Sequence, residues 1–100
     1  MTIIVGKKWD SGAVYIGRGS PLGNPFKMLS EQDRDSVCDK YEEWFKEQIK
    51  INNKTVLTEL SRLYKLAKNQ DLILGCYCAP KRCHGDTIKQ FLDGYLNANS

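Results

Sequence analysis

The chain has 100 residues, which is enough for one domain with a single hydrophobic core. Its composition, 41% hydrophobic and 27% charged residues with a net charge of +3, is that of an ordinary globular protein. No apolar run is long enough to cross a bilayer, and the apolar start of the chain stops at Lys7 and Lys8, too early for a signal peptide. We therefore expect a cytoplasmic protein without a membrane partner, whose four cysteines are reduced thiols.

The first part of the chain predicts two strands followed by a rigid loop. Residues 2–5 are β-branched and apolar, and residues 13–17 form a second segment of this kind, so both are predicted strands. Only seven residues separate them. A parallel crossover needs about a dozen residues or more, so these strands should be antiparallel if they are neighbours. Residues 18–26 contain two glycines and two prolines, which predicts a fixed loop without regular structure.

The remaining segments predict two helices, a strand and a third helix. The first helix starts at Ser30, ends near residues 52–54, and has one apolar stripe: Val37, Tyr41, Trp44, Phe45 and Ile49. A second helix covers about residues 55–68. Residues 72–78 are continuously apolar, as expected for a strand buried on both faces, and Pro80 ends that strand. The last helix runs from about Asp86 to Asn97.

The order β-β-α-α-β-α predicts a small α/β sandwich in which residues 1–100 form one domain with a mixed three-stranded sheet. The two helices between the second and third strands allow a right-handed crossover, which makes those two strands parallel. Parallel strands end at the same edge of a sheet, where ligands bind in open α/β folds. The loop at residues 18–26 and the loop around residues 78–86 should therefore meet at one ligand site.

The second loop has features that attract anions. It leads into a helix N-terminus, where unpaired N–H groups and the helix dipole favour phosphate or carboxylate. Lys81 and Arg82 add positive charge, Gly85 permits close backbone approach, and Arg18 of the first loop can offer a bidentate fork. The acidic first helix and the basic loops suit an anionic small ligand or a nucleic-acid end, and ordinary solvated charge is the alternative. Asp86 is also a natural N-cap, which is compatible with anion binding.

The cysteines and the single histidine of this loop allow three interpretations. Cys76, Cys78, Cys83 and His84 have the donor atoms of a zinc site, but their spacing is unlike that of zinc fingers or ribbons. Alternatively, Cys83 or Cys78 is a nucleophile whose pKa is lowered by the helix N-terminus and its basic neighbours. In that case His84 serves as general acid or base and Asp86 orients it. In the third interpretation the cysteines, including isolated Cys38, are buried hydrophobes and His84 bonds loop backbone.

Two segments of the sequence resemble the family known as domain of unknown function 4326, which occurs in bacteria and bacteriophages. The segments are VYIGRGSPLGNPF at residues 14–26 and GCYCAPKRCHGDTIKQFL at residues 75–92, with Tyr41 and Trp44 between them. The resemblance spans nearly the whole chain. Its signature residues lie mainly in the two loops, and it implies no particular reaction. A bacteriophage origin, which would place the protein in the host cytoplasm, is compatible with so compact a chain.

The leading hypothesis is a protein that binds a phosphate-containing ligand, such as a nucleotide, nucleoside or nucleic-acid component, and transfers or hydrolyses part of it. The residues assigned to ligand binding are Arg18, Gly19, Ser20, Gly23, Asn24, Cys78, Lys81, Arg82 and Gly85. Those assigned to catalysis are Cys83, His84 and Asp86. No metal or cofactor is assigned. The alternative is a non-enzymatic bacterial or bacteriophage protein that docks on a host protein complex.

Overall fold

The computed structural model describes residues 2–17, 19–76 and 81–98. Its elements in chain order are β1 (Ile3–Lys7), β2 (Val14–Tyr15), a 3₁₀ turn (Glu31–Asp33), α1 (Arg34–Lys50), α2 (Lys54–Asn69), β3 (Leu72–Cys76) and α3 (His84–Ala98). This is the predicted order β-β-α-α-β-α, and the predicted α/β fold class is confirmed.

The sheet differs from the prediction because it is parallel throughout rather than mixed. Its strand order is β1-β3-β2, so the first two strands are not neighbours but lie on either side of β3. Ile3 pairs with Leu72 in the parallel β1–β3 ladder, and Val14 pairs with Leu74 in the parallel β2–β3 ladder. The expected parallel relation between the second and third strands is confirmed.

A short crossover between β1 and β2 is possible because β2 starts beside the carboxyl end of β3. Lys7, the end of β1, is level with Cys76, and Val14 is level with Leu74. The chain therefore steps back by only two residues of β3, about 7 Å. The turn passes over Gly75, where an added Cβ would lie 3.0 Å from the Lys8 Cα. The missing side chain at Gly75 leaves the space for this crossing.

The helices form close to their predicted positions, with differences at their first residues. The Asn53 side chain accepts hydrogen bonds from the Thr55 and Val56 N–H groups and caps α2. Ser30 makes no side-chain cap bond, and a 3₁₀ turn stands where the first turn of α1 was expected. The last helix begins at His84 rather than at Asp86, so the histidine lies in its first turn.

One hydrophobic core joins the sheet to the helices. Its largest fully buried side chains include Tyr41 and Phe45 of α1, Leu63 of α2, Leu74 of β3 and Ile88 of α3. The opposite face of the sheet is only partly covered, since Ile4 is 46% exposed and Ile73 is half-buried. The expectation that the third strand is buried on both faces is therefore wrong for part of its length. Within the described ranges, every helix is too short or too polar to cross a membrane.

Candidate functional site

A cavity of about 340 Å³ lies at the carboxyl ends of β2 and β3. It is lined by Tyr15, Gly17, Asn24, Phe26, Met28, Arg34, Val37, Cys38, Cys76, Arg82, Cys83 and His84. Asn24 and Phe26 come from the first loop, whereas Arg82, Cys83 and His84 come from the segment that enters α3. The structure therefore brings both loops to one cavity.

His84 is held at the cavity by the chain that leaves β2. Its Nε2 lies 2.6 Å from the carbonyl oxygen of Ile16, and its ring meets the Tyr41 ring edge-on at a centroid distance of 5.0 Å. A carbonyl oxygen can only accept, so Nε2 carries the proton and Nδ1 is the basic nitrogen of the neutral ring. No described group hydrogen-bonds to Nδ1, and no fully buried side-chain polar atom of the described residues lacks a partner. Nδ1 is therefore not fully buried, and His84 is one of the residues that line the cavity.

Burial keeps the His84 imidazole neutral. The residue is only 8% exposed, and desolvation lowers its pKa below the ordinary value of 6.5. The hydrogen bond to Ile16 and the charge of Asp86 raise the pKa, but by less than burial lowers it. At neutral pH the ring can therefore accept a proton at Nδ1.

The Asp86 carboxylate hydrogen-bonds to the backbone of the loop rather than to the imidazole. Its Oδ2 accepts a 3.1 Å hydrogen bond from the Cys83 N–H, the residue directly before α3. Asp86 is thus the third residue of the helix, not its N-cap, and it makes the return bond of a capping box. The ring of His84 is oriented by the Ile16 carbonyl instead.

Cys83 lacks the properties of an activated nucleophile. It is 4% exposed, and its Sγ lies 3.1 Å from the Sγ of Cys76, which is 1% exposed. The thiol hydrogen bond to Cys76 and then burial raise the pKa of Cys83, although the Gly85 N–H works in the other direction. The expectation that the helix N-terminus lowers this pKa is wrong, because burial beside a second thiol outweighs the helix end. The interpretation of Cys76 as a buried hydrophobe agrees with its burial.

Lys81 and Arg82 point toward acidic side chains of the 3₁₀ turn and of the start of α1. Nη1 of Arg82 lies 3.0 Å from Asp35 and Nη2 lies 2.8 Å from Asp39, while Nζ of Lys81 lies 3.2 Å from Glu31. The acidic residues and the basic loop that the sequence analysis distinguished therefore form ion pairs with each other. Of these two cations only Arg82 lines the cavity.

Gly85 serves helix packing. A Cβ at this position would lie 3.0 Å from both Ile16 Cδ1 and Val5 Cγ1. These contacts are tighter than ordinary packing, so glycine lets the first turn of α3 approach the sheet. Gly85, which the sequence assigned to ligand binding, does not line the cavity. Its close contacts with the sheet account for a glycine at this position.

In the described part of the 18–26 loop, residues 19–23 form a compact turn. The Ser20 hydroxyl donates a 2.6 Å hydrogen bond to the Gly17 carbonyl, and the Gly23 N–H donates to the Ser20 carbonyl at 3.1 Å. Gly19 has φ +88, a conformation that favours glycine, and is exposed. Gly19, Ser20 and Gly23 do not line the cavity, so their structural role is to shape the loop. Arg18 and Cys78, both assigned to ligand binding from the sequence, lie outside the described residues.

The second part of that loop presents a polar group to the cavity. Oδ1 of Asn24 accepts a 2.8 Å hydrogen bond from the Phe26 N–H, which leaves the Asn24 amide nitrogen to donate elsewhere. The buried Tyr41 hydroxyl donates a 2.8 Å bond to the Leu22 carbonyl and fixes the chain just before it. Asn24 is therefore a rigidly placed cavity residue.

Arg34 and Cys38 of α1 also line the cavity, and the sequence analysis did not identify either as a site residue. Nη1 of Arg34 donates to the Arg82 carbonyl at 2.9 Å, and Nη2 lies 2.6 Å from Glu31. Hydrogen bonds from Arg34 and then from Lys81 lower the pKa of Glu31 to about 2. The available signal was the four-residue spacing of Arg34 and Cys38, which places both on one face of α1.

The described residues contain no cluster of three or more His, Cys, Asp or Glu side chains that could hold a metal ion. Of the four zinc ligands considered from the sequence, Cys78 lies outside the described ranges. Nε2 of His84 is engaged by the Ile16 carbonyl, whereas Cys76 and Cys83 contact each other. Cys76 and Cys83 are thus the described members of this set that contact each other, and two thiols are fewer ligands than a tetrahedral zinc site needs.

Comparison with known proteins identifies the family. Neither a search of curated proteins nor one of solved structures gives a match. A family model matches residues 5–94, a range that contains both loops, the cavity and all three strands except the first two residues of β1. The chain therefore belongs to the family described as Domain of unknown function (DUF4326).

Proposed function

We propose that this protein binds a phosphate-containing ligand of the nucleotide or nucleoside class in the cavity and that His84 acts as a general base in its transfer or hydrolysis. The observation that carries the proposal is the His84 ring: it is almost fully buried, it is fixed through Nε2, and it lines a cavity to which both loops contribute. A neutral, oriented imidazole in a cleft is the usual form of a protein general base.

The cavity has the size and lining that a nucleoside requires. Its volume of about 340 Å³ falls at the lower end of ordinary small-molecule sites. Tyr15, Phe26 and Val37 provide apolar walls suited to a planar base, and the Asn24 amide nitrogen is a donor for a base or sugar oxygen. Apolar walls with a few fixed polar groups are typical of sites that select one ligand class.

Positive charge borders the cavity on the side of α1 and α3. Arg34 and Arg82 both line it, although each also pairs with carboxylates of the segment 31–39. The cavity also lies at the N-terminus of α3, where the helix dipole favours an anion. These groups support binding of a phosphate, and Lys81 and Gly85 are not required for it.

The chemistry assigned to His84 is proton transfer. A hydroxyl or water bound beside Nδ1 gives its proton to the imidazole while its oxygen bonds to the electrophilic atom of the ligand. The leaving group departs with the electron pair of the broken bond and takes the proton from Nδ1. The Ile16 carbonyl favours the intermediate imidazolium, because the bond from Nε2 becomes charge-assisted. No role as a nucleophile is assigned to Cys83.

A ligand panel tests this proposal. The melting temperature is measured with nucleosides, nucleoside monophosphates and triphosphates, sugar phosphates and inorganic phosphate. At least one nucleoside phosphate should stabilise the wild type, Phe26→Ala should weaken that binding, and Lys81→Ala should leave it unchanged because Lys81 does not line the cavity. His84→Gln should keep ligand binding but lose turnover.

Stabilisation by no member of the panel would contradict the proposal. Capture of one defined partner from host lysate, retained by Phe26→Ala and by His84→Gln, would instead favour the docking protein that the sequence also allows. If Lys81→Ala lost as much binding as Phe26→Ala, the proposed position of the ligand in the cavity would be contradicted.

A further inference from the structure

We infer that the ligand is a nucleotide at the end of a single-stranded nucleic acid, with the adjacent nucleotide held on the turn between β1 and β2. This inference rests on the proposed function and names its substrate class. The turn residues that carry it are Lys7, Lys8 and Trp9, together with Tyr15 at the cavity wall, and none of them was assigned a role from the sequence.

The β1–β2 turn begins at the edge of the sheet where the cavity lies. The Lys8 N–H donates a 3.1 Å hydrogen bond to the carbonyl of Cys76, the last residue of β3 and a cavity residue. A Cβ at Gly75 would lie 3.1 Å from Ala13 Cβ, so the far side of the turn is also packed on β3. The turn is therefore a neighbour of the proposed site.

The turn presents a large aromatic side chain to solvent. Trp9 is 66% exposed, although tryptophan carries the largest apolar surface of any side chain and is usually buried for most of its area. The backbone beneath it is ordered by hydrogen bonds: Asp10 Oδ2 accepts from the Lys7 N–H at 2.8 Å, and the Asp10 carbonyl accepts from the Ala13 N–H at 3.0 Å. Trp9 is thus an exposed side chain on a turn whose backbone is held by hydrogen bonds.

Two lysine–aromatic pairs connect this surface to the cavity. Nζ of Lys7 lies 5.3 Å from the Trp9 ring centroid, and Nζ of Lys8 lies 4.7 Å from the ring centroid of Tyr15, which lines the cavity. Alternating aromatic rings and cations are what single strands require, because bases stack on the rings and the backbone phosphates meet the lysines. Trp9 does not line the cavity, so a ligand that contacts both the cavity and Trp9 extends beyond the cavity itself.

The surrounding charges favour a short single strand over a long duplex. The Asp10 carboxylate is turned back onto the Lys7 backbone, and Glu31, Asp35 and Asp39 are paired with basic side chains. These carboxylates still place negative charge along the segment 31–39. Among the described residues, the positive surface is therefore limited to Lys7 and Lys8 of the turn and to the arginines that line the cavity. So limited a positive surface suits a short single strand better than a long duplex.

The experiment compares an oligomer with a mononucleotide. Fluorescein-labelled octamers of deoxythymidine and of uridine are titrated and followed by anisotropy, and nucleoside monophosphates are titrated by calorimetry. The octamer should bind more tightly than the monophosphate. Trp9→Ala should weaken octamer binding about 5- to 150-fold, the range measured for the loss of one stacked base, while monophosphate binding stays unchanged.

Matched variants separate stacking and charge from general surface effects. Leu29→Ala removes another exposed apolar side chain, which is 82% exposed, and should leave octamer affinity unchanged. Lys7→Ala and Lys8→Ala should each reduce the slope of log affinity against log salt by about 1. Lys65→Ala, at an exposed position on α2, should leave that slope unchanged.

The outcomes distinguish this inference from the function on which it rests. Monophosphate binding that equals octamer binding, with Trp9→Ala neutral, would overturn the inference and leave the proposed function standing. Failure of every nucleotide and oligomer to bind would overturn both. Tighter binding of either octamer than of the monophosphates, lost in Trp9→Ala, would support the inference. If the wild type binds a host protein that Trp9→Ala does not bind, and neither binds nucleic acid, the inference would be overturned in favour of protein docking.

Discussion

The carbonyl oxygen of Ile16 lies 2.6 Å from Nε2 of His84, and this one contact joins the end of β2 to the start of α3. It connects the two loops at the carboxyl end of β3. It also determines which imidazole nitrogen carries the proton, because the carbonyl can only accept. The basic nitrogen that the proposed chemistry needs is therefore set by a backbone group, without a carboxylate partner.

The stability of the protein should depend on pH through His84. Burial lowers the pKa of this imidazole below 6.5 in the folded state, so the unfolded chain takes up a proton at a pH at which folded His84 is still neutral. The unfolded state then binds more protons, and the free energy of unfolding should fall as the pH drops below about 6.5 and stop falling on this account below the folded-state pKa. Urea denaturation between pH 8 and pH 4.5 measures this dependence.

His84→Gln provides the control for that measurement. Glutamine does not titrate, and both proteins share every other ionisable group, so the difference between their pH profiles isolates the imidazole. The variant should lose less stability than the wild type between pH 7 and pH 5. Parallel profiles in that range would show that the folded state accommodates the imidazolium and that burial does not control its pKa.

The sequence predicts the element order well, because helical stripes, turn residues and a continuous apolar strand are local signals. It fails on the relative direction of the first two strands, which are not neighbours but run parallel on either side of β3, because a rule about connection length assumes strands of ordinary length. β2 has only two residues and Gly75 leaves room for a crossing, so seven residues, two of which extend β1, were enough. That outcome depends on the stagger between strands, which no local pattern encodes.

The site is predictable in place but not in detail. Topology brings the two loops to the edge at which parallel strands end, and the cavity lies there. The directions of individual side chains follow from tertiary contacts: Arg82 is drawn to Asp35 and Asp39, and Cys83 is turned to Cys76. The sequence shows that a cation or a thiol is present. Whether that group can bind a ligand or attack it depends on the side chain with which it is paired in the fold.

Tyr41→Phe should destabilise the fold without removing any ring contact. The buried Tyr41 hydroxyl is the donor for the Leu22 carbonyl at 2.8 Å, and its loss leaves that carbonyl unsatisfied at a cost of about 1–3 kcal/mol. Tyr64→Phe is the matched control, because no described hydrogen bond involves that hydroxyl. Chemical denaturation compares the two, and equal stability of both variants would contradict a structural role for the Tyr41 hydroxyl.

Cys83 should react slowly with alkylating reagents in the folded protein. Its pKa is raised by the Cys76 thiol and by burial, and the thiolate is the reactive form. Iodoacetamide labelling at pH 7.5, followed by peptide mass spectrometry, should be much slower at Cys83 in the native protein than in urea-unfolded protein. Rapid native labelling of Cys83 would restore it as a candidate nucleophile. Cys83→Ala should correspondingly keep both ligand binding and turnover.

Two glycines of α3 should respond in opposite ways to alanine. Gly94 is exposed and has nothing within 4 Å of an added Cβ, so Gly94→Ala should stabilise the helix by about 0.5–1 kcal/mol. At Gly85 the added methyl meets Ile16 and Val5 at 3.0 Å, so Gly85→Ala should forfeit that gain and cost about 1–3 kcal/mol through overpacking. Because Gly85 adjoins His84, the same change should also reduce turnover. Thermal denaturation and a turnover assay measure the two effects, and equal stabilisation by the two alanines would contradict the close approach of α3 to the sheet.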